Sequence, residues 1–352
     1  MNTTVHLPQV GAETFGDITE DANGIPLTHA QVIRNVLAEG QKAEEVGLDF
    51  FGIGEHHRDD FSVSSPETVL AALAATTQNI KLGTAVTVLS SDDPVRVYER
   101  FATLDALSSG RAEIIAGRGS FIESFPLFGL DLENYEELFE EKLALMAKLR
   151  HGDPVSWSGR HRAALRGQQV YPLLEGKPLT TWVGVGGSPQ SVIRAARHGL
   201  PLFLAIIGGQ PAAFEPLVDL YHRALKEFSE PEQPVGAHFH GLVADTDEEA
   251  LELLWPHYQR SMNRLGAERG WGPASRIQLQ AAMGPQGAMM AGSPETVARK
   301  MAKAVTTLGL SRIGIKYSAG SLPHEHLMKS IEMLGTEVKP RIHELLSASQ
   351  EN

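Results

Sequence analysis

Residues 80–120 read IKLGTAVTVLSSDDPVRVYERFATLDALSSGRAEIIAGRGS. The β-branched, apolar run over 80–89 predicts a strand. A polar loop over 90–93 leads to Pro94, and apolar residues at helical spacing predict a helix over 94–107. Ser108-Ser109-Gly110 stops that helix, and a second apolar run over 112–116 predicts the next strand. A strand, a helix of about four turns and another strand with short links form a right-handed parallel crossover.

The same unit recurs on both sides of this stretch. Upstream, strands are expected over 9–15 and 49–53 and helices over 29–46 and 66–77. Downstream, a long acidic helix covers 134–150. The stretch 151–179, rich in Gly, Pro and basic residues, is read as an irregular excursion with a small hairpin. Strands over 181–185, 201–206, 235–244 and 312–317 alternate with helices over 188–198, 211–228, 247–265, 294–308 and 323–334. The segment 266–293 is loop-rich. The strands read as apolar on both faces, as parallel strands covered by helices should. Eight strand–helix pairs favour closure into a (β/α)8 TIM barrel, an α/β fold, with insertion segments after strands 4 and 7. An open doubly wound sheet would need a Gly-rich turn directly after strand 1, and Gly16-Asp17-Ile18-Thr19 does not supply one. The chain, 1–352, is read as one domain.

Composition removes several classes of function. Lys and Arg total 31 against 43 Asp and Glu, a formal net charge of −12. No basic patch stands out, so neither nucleic acid nor an anionic membrane is an expected partner. The chain contains no cysteine, which excludes disulfides, thiolate catalysis and Cys-type metal sites. MNTTVHLPQV does not read as a signal peptide, and no apolar run approaches a membrane span. The expectation is a soluble cytoplasmic protein.

Four segments fall where a barrel carries its chemistry. Gly54-Glu55-His56-His57-Arg58 follows strand 2 and puts an imidazole at the rim, suited to proton transfer or to donation toward a developing oxyanion. The competing reading is a pair of rim histidines packed against Arg58 and Asp59. No metal site is expected, because adjacent histidines point apart and no HExxH spacing accompanies them. Ala116-Gly117-Arg118-Gly119-Ser120 follows strand 4. Its glycines admit a ligand close to the backbone, and Arg118 offers a planar fork for phosphate. Gly184-Val185-Gly186-Gly187-Ser188-Pro189 joins strand 5 to its helix, with Ser188 as N-cap and Pro189 at N1. The N–H groups of that helix start suit an anion, and Ser191 adds a hydroxyl in the same turn. Thr84–Pro94 taken alone signals no chemistry. His238 and His240 share one face of strand 7 and line the mouth or fill it. Met283, Met289 and Met290 are read either as an adaptable lid or as packing.

These residues together resemble the bacterial luciferase-like monooxygenases. The resemblance runs over roughly 9–334. It is carried by GIGEHH (52–57), TAVTVLSSDDPVRVYERFATLDALSSGRAEIIAGRGSF (84–121) and VGVGGSPQSVIRAARHGLPL (183–202), in the family's order and spacing. It implies a (β/α)8 barrel that binds reduced FMN or, in one branch, a deazaflavin. On this resemblance His56 corresponds to the active-site histidine. Arg118, Gly119 and Ser120 correspond to the phosphate-binding turn, and Gly186, Gly187, Ser188 and Ser191 to a second phosphate segment. Luciferase has an acidic residue where Gly187 stands, so that contact would be through backbone alone. Ala85 and Val86 correspond to a pair joined by a cis peptide beneath the flavin ring. The resemblance further implies O2 as co-substrate and a small organic substrate. Reduced flavin would come from a separate flavin reductase or indirectly from NAD(P)H, and the assembly would be a homodimer or higher homo-oligomer.

Three other readings stay open: a deazaflavin-dependent hydride-transfer oxidoreductase, a non-catalytic flavin-binding protein, and an unrelated phosphate-binding barrel such as an aldolase or isomerase with Lys316 as its amine. The substrate is not readable; it depends on the loops over 120–132 and 267–292.

Overall fold

The computed structural model describes residues 7–119 and 121–348. The strands are β1 (Gln9–Thr14), β2 (Phe50–Ile53), β3 (Lys81–Thr84), β4 (Ala112–Gly117), β5 (Thr180–Val185), β6 (Leu202–Ile206), β7 (Val235–Val243) and β8 (Arg312–Lys316). Each pairs in parallel with the strands before and after it, and β8 pairs with β1. The sheet is therefore a closed eight-stranded barrel. The main helices outside it are α1 (His29–Glu45), α2 (Pro66–Ala74), α3 (Pro94–Ser108), α4 (Tyr135–Leu149), α5 (Pro189–Arg197), α6 (Glu215–Glu227), α7 (Asp247–Arg269) and α8 (Pro294–Leu308). Two more, α9 (His324–Met333) and α10 (Lys339–Ala348), follow β8.

Local chemistry sets the helix starts. Asp93 accepts from the backbone N–H of Val95 at 2.8 Å, with Pro94 in the first turn of α3. Thr246 and Ser293 cap α7 and α8 in the same way. Ser109 closes α3 in the left-handed region.

Alternate strand residues separate two apolar layers. Val10, Ala12, Ile114, Val183, Leu204, Ala237 and Ile313 join the large core between barrel and helices. Ala85, Ile115, Trp182 and Phe203 form a second, smaller cluster inside the barrel, with Val86 packed on it.

The expectation of strands apolar on both faces is corrected here. Glu13, Glu113, His238, Arg312 and Lys316 are all buried. They are tolerated because they pair. Arg312 holds Glu113, Glu13 meets His238, and Lys316 holds Asp17. A second correction concerns the strand expected over 80–89. It stops at Thr84, the Ala85–Val86 peptide is cis, and Thr87–Val88 shifts to pair with Ala116 and Gly117. The two pieces, Lys81–Thr84 and Thr87–Val88, pair with different stretches of β4.

Segment 151–179 contains an antiparallel hairpin, Val155–Trp157 with Leu165–Gln168. Segment 266–293 holds a helix, Arg276–Met283, and a strand, Met290–Gly292, that extends the pairing of β7. The chain past 334, which the sequence leaves unassigned, continues through a π turn into α10. Among the described residues, no helix is long and apolar enough to cross a membrane.

Candidate functional site

The ends of β2, β3, β4 and β5 lie side by side at the C-terminal mouth, and the chain there carries the residues singled out from sequence. After β2, the His56 backbone N–H donates to Val63 O at 3.0 Å, which fixes the turn. The imidazole is nearly buried within an aromatic box. It stacks on Phe61 with centroids 4.3 Å apart and meets the edges of Phe15 at 4.9 Å and Phe121 at 5.2 Å. Its Nδ1 lies 3.7 Å from Glu123 Oε1, an ion-pair separation. Burial alone would raise the Glu123 carboxyl. His56 together with the backbone N–H groups of Glu123 and His57 outweighs that, and the pKa falls below the ordinary carboxylate value.

His56 and His57 do point apart. His57 Nε2 lies 2.9 Å from Glu55 Oε1, and that hydrogen bond raises the imidazole above its ordinary 6.5. The other Glu55 oxygen accepts from the Val88 N–H at 2.9 Å, so Glu55 ties the histidine turn to the segment after the cis peptide. Arg58 pairs with Asp60 and Glu268 and lies over the Phe121 ring at 4.5 Å.

After β3, Val86 projects onto the ends of β4 and β5. A Cβ on Gly117 would stand 2.5 Å from Val86 Cγ2, and one on Gly184 would stand 3.0 Å from Cγ1. Glycine at both positions is what admits the side chain.

After β4, Arg118 bonds Glu136 at the start of α4 and lies over the Tyr135 ring at 5.3 Å. Gly119 adopts φ +77°, and its carbonyl accepts from the Tyr135 hydroxyl at 2.7 Å. Ser120 lies outside the described residues. After β5, Gly186 faces open space. Gly187 has φ +124°, and a Cβ there would meet nothing nearer than the Phe214 ring at 4.0 Å.

Ser188 takes the N-cap position, but its hydroxyl bonds the Gln190 side chain at 3.1 Å and makes no cap bond. The N-cap expectation holds for the backbone and fails for the side chain. Ser191 is buried, and its hydroxyl lies 3.5 Å from Arg194 Nη1. Arg194 Nη2 in turn donates to Glu136 at 3.2 Å. One carboxylate thus bridges the turn after β4 and the first turns of α5.

The far side of the mouth is closed by charge pairs. Lys316 Nζ donates to Asp17 Oδ1 and Oδ2 at 2.9 and 3.0 Å and to Ser318 O at 2.7 Å. Burial raises the Asp17 carboxyl; Lys316 and Ser318 more than reverse this. All three ammonium protons are engaged, so Lys316 is not poised as a nucleophile. Burial pushes His240 down to about 3, helped by Lys316 and His238, so it is neutral at physiological pH. Met289 and Met290 are buried in the core, which favours packing over a lid. Among the described residues, no group of three His, Asp or Glu side chains could hold a metal.

Sequence reasoning missed Phe15, Phe61, Phe121, Glu123, Tyr135, Glu136 and Arg194. Arg194 had a signal, standing three residues beyond Ser191 on one helical face. Glu136 had none on an already acidic helix.

Comparison with known proteins places these features in context. The model of the luciferase-like monooxygenase family matches residues 14–312. The alkanal monooxygenase alpha chain of the Kryptophanaron alfredi symbiont is 30% identical over 205 residues, 55% of this chain and 54% of that protein, so the match spans about half of that relative's length. The oxygenating constituent of 3,6-diketocamphane monooxygenase from Pseudomonas putida, solved in complex with FMN, superposes with a TM-score of 0.75 at 20% identity. That superposition covers 96% of this chain and 99% of the other. An F420-dependent secondary alcohol dehydrogenase superposes with a TM-score of 0.74 at 15% identity, over 96% of this chain and 99% of the other. At such identities the structural likeness speaks to the fold.

Proposed function

Because this chain belongs to the luciferase-like monooxygenase family, we propose that it binds reduced FMN at the barrel mouth and uses it with O2 to oxygenate a small organic substrate. The observation that carries the reading is the convergence of two anion-gripping elements. The Arg118 guanidinium and the first turns of α5 meet on a single carboxylate, Glu136, in the place the flavin phosphate would take. The donor set fits: a planar guanidinium, the Ser188 and Ser191 hydroxyls, and a positive-φ glycine turn open to ligand. Gly119 belongs to the same turn as Arg118, and Gly186 and Gly187 would offer backbone only.

The flavin supplies the oxygen chemistry when bound. The chain's share is to bind, orient, exclude water and move one proton. Ala85 and Val86, seated over Gly117 and Gly184, form an apolar bed for a planar ring. Phe15, Phe61 and Phe121 wall His56 from solvent. The carboxylate of Glu123 facing Nδ1 favours a proton there, which leaves Nε2 to take and return the catalytic proton. Reduced flavin would be delivered by a separate reductase or with NAD(P)H as indirect donor. A homodimer or higher homo-oligomer is the expected assembly.

Titration with FMN, followed by oxygen uptake with reduced FMN across aldehydes, alkanes, sulfonates and heterocycles, tests the proposal. Saturable FMN binding and substrate-dependent product are expected. Binding without turnover on any substrate would support the non-catalytic flavin-binding reading, and no binding would remove the flavin altogether. The deazaflavin reading is decided by the absorption spectrum of the cofactor carried by natively expressed protein.

A further inference from the structure

The bridge formed by Glu136 has a physical consequence for the phosphate site. Arg194 is 7% exposed and fixed on α5. Its Nε bonds Glu140, which also holds Arg197 at 3.2 Å. Its Nη1 faces the Ser191 hydroxyl, and its Nη2 is the nitrogen that reaches Glu136. Arg118 approaches the same carboxylate from the β4 turn. The Tyr135 hydroxyl on Gly119 O holds the start of α4, and with it the Glu136 backbone, against that turn.

A carboxylate offers two oxygens on one end, as a phosphate offers any two of its three, and both fit a guanidinium fork. Glu136 therefore occupies the place of an anion between two cations. The three partners differ in how tightly they are held. The Glu136 side chain is 60% exposed, so little resists its swinging into solvent, whereas Arg194 is buried and stays.

We propose that Arg194 is a second phosphate-binding cation beside Arg118. Glu136 is an internal competitor that the cofactor phosphate displaces. The inference rests on the flavin reading above and names the groups that set affinity for its phosphate end. Neutralising Glu136 removes the competitor and a like charge from beside the incoming dianion, while leaving both guanidinium groups in place. The effect should reach phosphate-bearing ligands alone.

The test compares wild type, Glu136→Gln and Arg194→Lys as full chains. FMN, riboflavin and inorganic phosphate are each titrated, with thermal melts to check folding. Glu136→Gln should bind FMN and inorganic phosphate about three- to fivefold tighter, with riboflavin unchanged. Arg194→Lys keeps the charge but loses the fork. It should weaken FMN several-fold with riboflavin unchanged. FMN affinity that is unchanged or weaker in Glu136→Gln overturns the competitor role, and unchanged affinity in Arg194→Lys removes Arg194 from the site. If no variant binds FMN yet Glu136→Gln binds inorganic phosphate more tightly, the anion site stands and the flavin reading falls.

Discussion

Arginine appears at both ends of this barrel and does opposite work. At the base, Arg312 is 2% exposed. It donates to both oxygens of Glu113 and to Gln9 Oε1, and lies between the Phe50 and Trp182 rings at 4.6 and 4.7 Å. Lys81 adds a second cation to Glu113 at 3.0 Å. At the mouth, Arg118 is 26% exposed and shares a solvent-facing carboxylate. The base is saturated: each group has a buried partner and nowhere to go. The mouth is provisional, with a partner that can leave. Charge inside a barrel serves stability where every donor is used and, on the proposed function, would serve binding where one is held in reserve.

The largest expected effect breaks the base. Arg312→Met strands Glu113 with Lys81 alone and should cost about 3–5 kcal/mol in denaturant unfolding, while the folded fraction binds FMN normally. Weakened FMN binding in that variant would mean the two ends are coupled and the comparison fails. The next effect is confined to the mouth. His56→Ala should lower turnover about a hundredfold or more, with FMN affinity and melting temperature nearly unchanged. Normal turnover would return the histidine to the role of rim filling.

The smallest effect separates the ends by pH. Burial raises the Glu113 carboxyl, and Arg312 together with Lys81 pulls it below the ordinary carboxylate range. Its contribution is present above that range and is lost only as pH falls through the depressed value. His57 is raised by Glu55, so its contribution is full below 6.5 and disappears as pH rises through the raised value. Melting curves should therefore lose the acid limb in Arg312→Met and the neutral-to-alkaline limb in His57→Gln, the latter by less than about 1 kcal/mol. A pH-independent difference between wild type and His57→Gln would contradict the assignment.

What the sequence disclosed follows from the range of the physics involved. The crossover over 80–120 is local, so alternating apolar runs and the stop at Ser108-Ser109-Gly110 reveal it. Arg118 and the Gly186-Gly187-Ser188-Pro189 turn are legible because special backbone and charge coincide within a few residues. His56 is legible by its place after β2, but its box is not. Phe15, Phe61 and Phe121 come from three separate connections and meet only in the closed barrel. The break at Ala85–Val86 is written in ordinary strand residues. Arg312 and Glu113 lie 199 residues apart, so neither shows that the other neutralises it. Glu136 reads as one more solvated acid on α4 until Arg118, from the head of the same connection, and Arg194, from the helix after β5, meet on it.

Calorimetric titration of FMN and riboflavin into wild type and Arg118→Ala addresses the central claim most directly. Wild type should prefer FMN strongly. Arg118→Ala should lose about tenfold or more in FMN affinity, with riboflavin affinity and melting temperature unchanged. Equal FMN affinity in the two proteins would contradict the phosphate site on which the account is built.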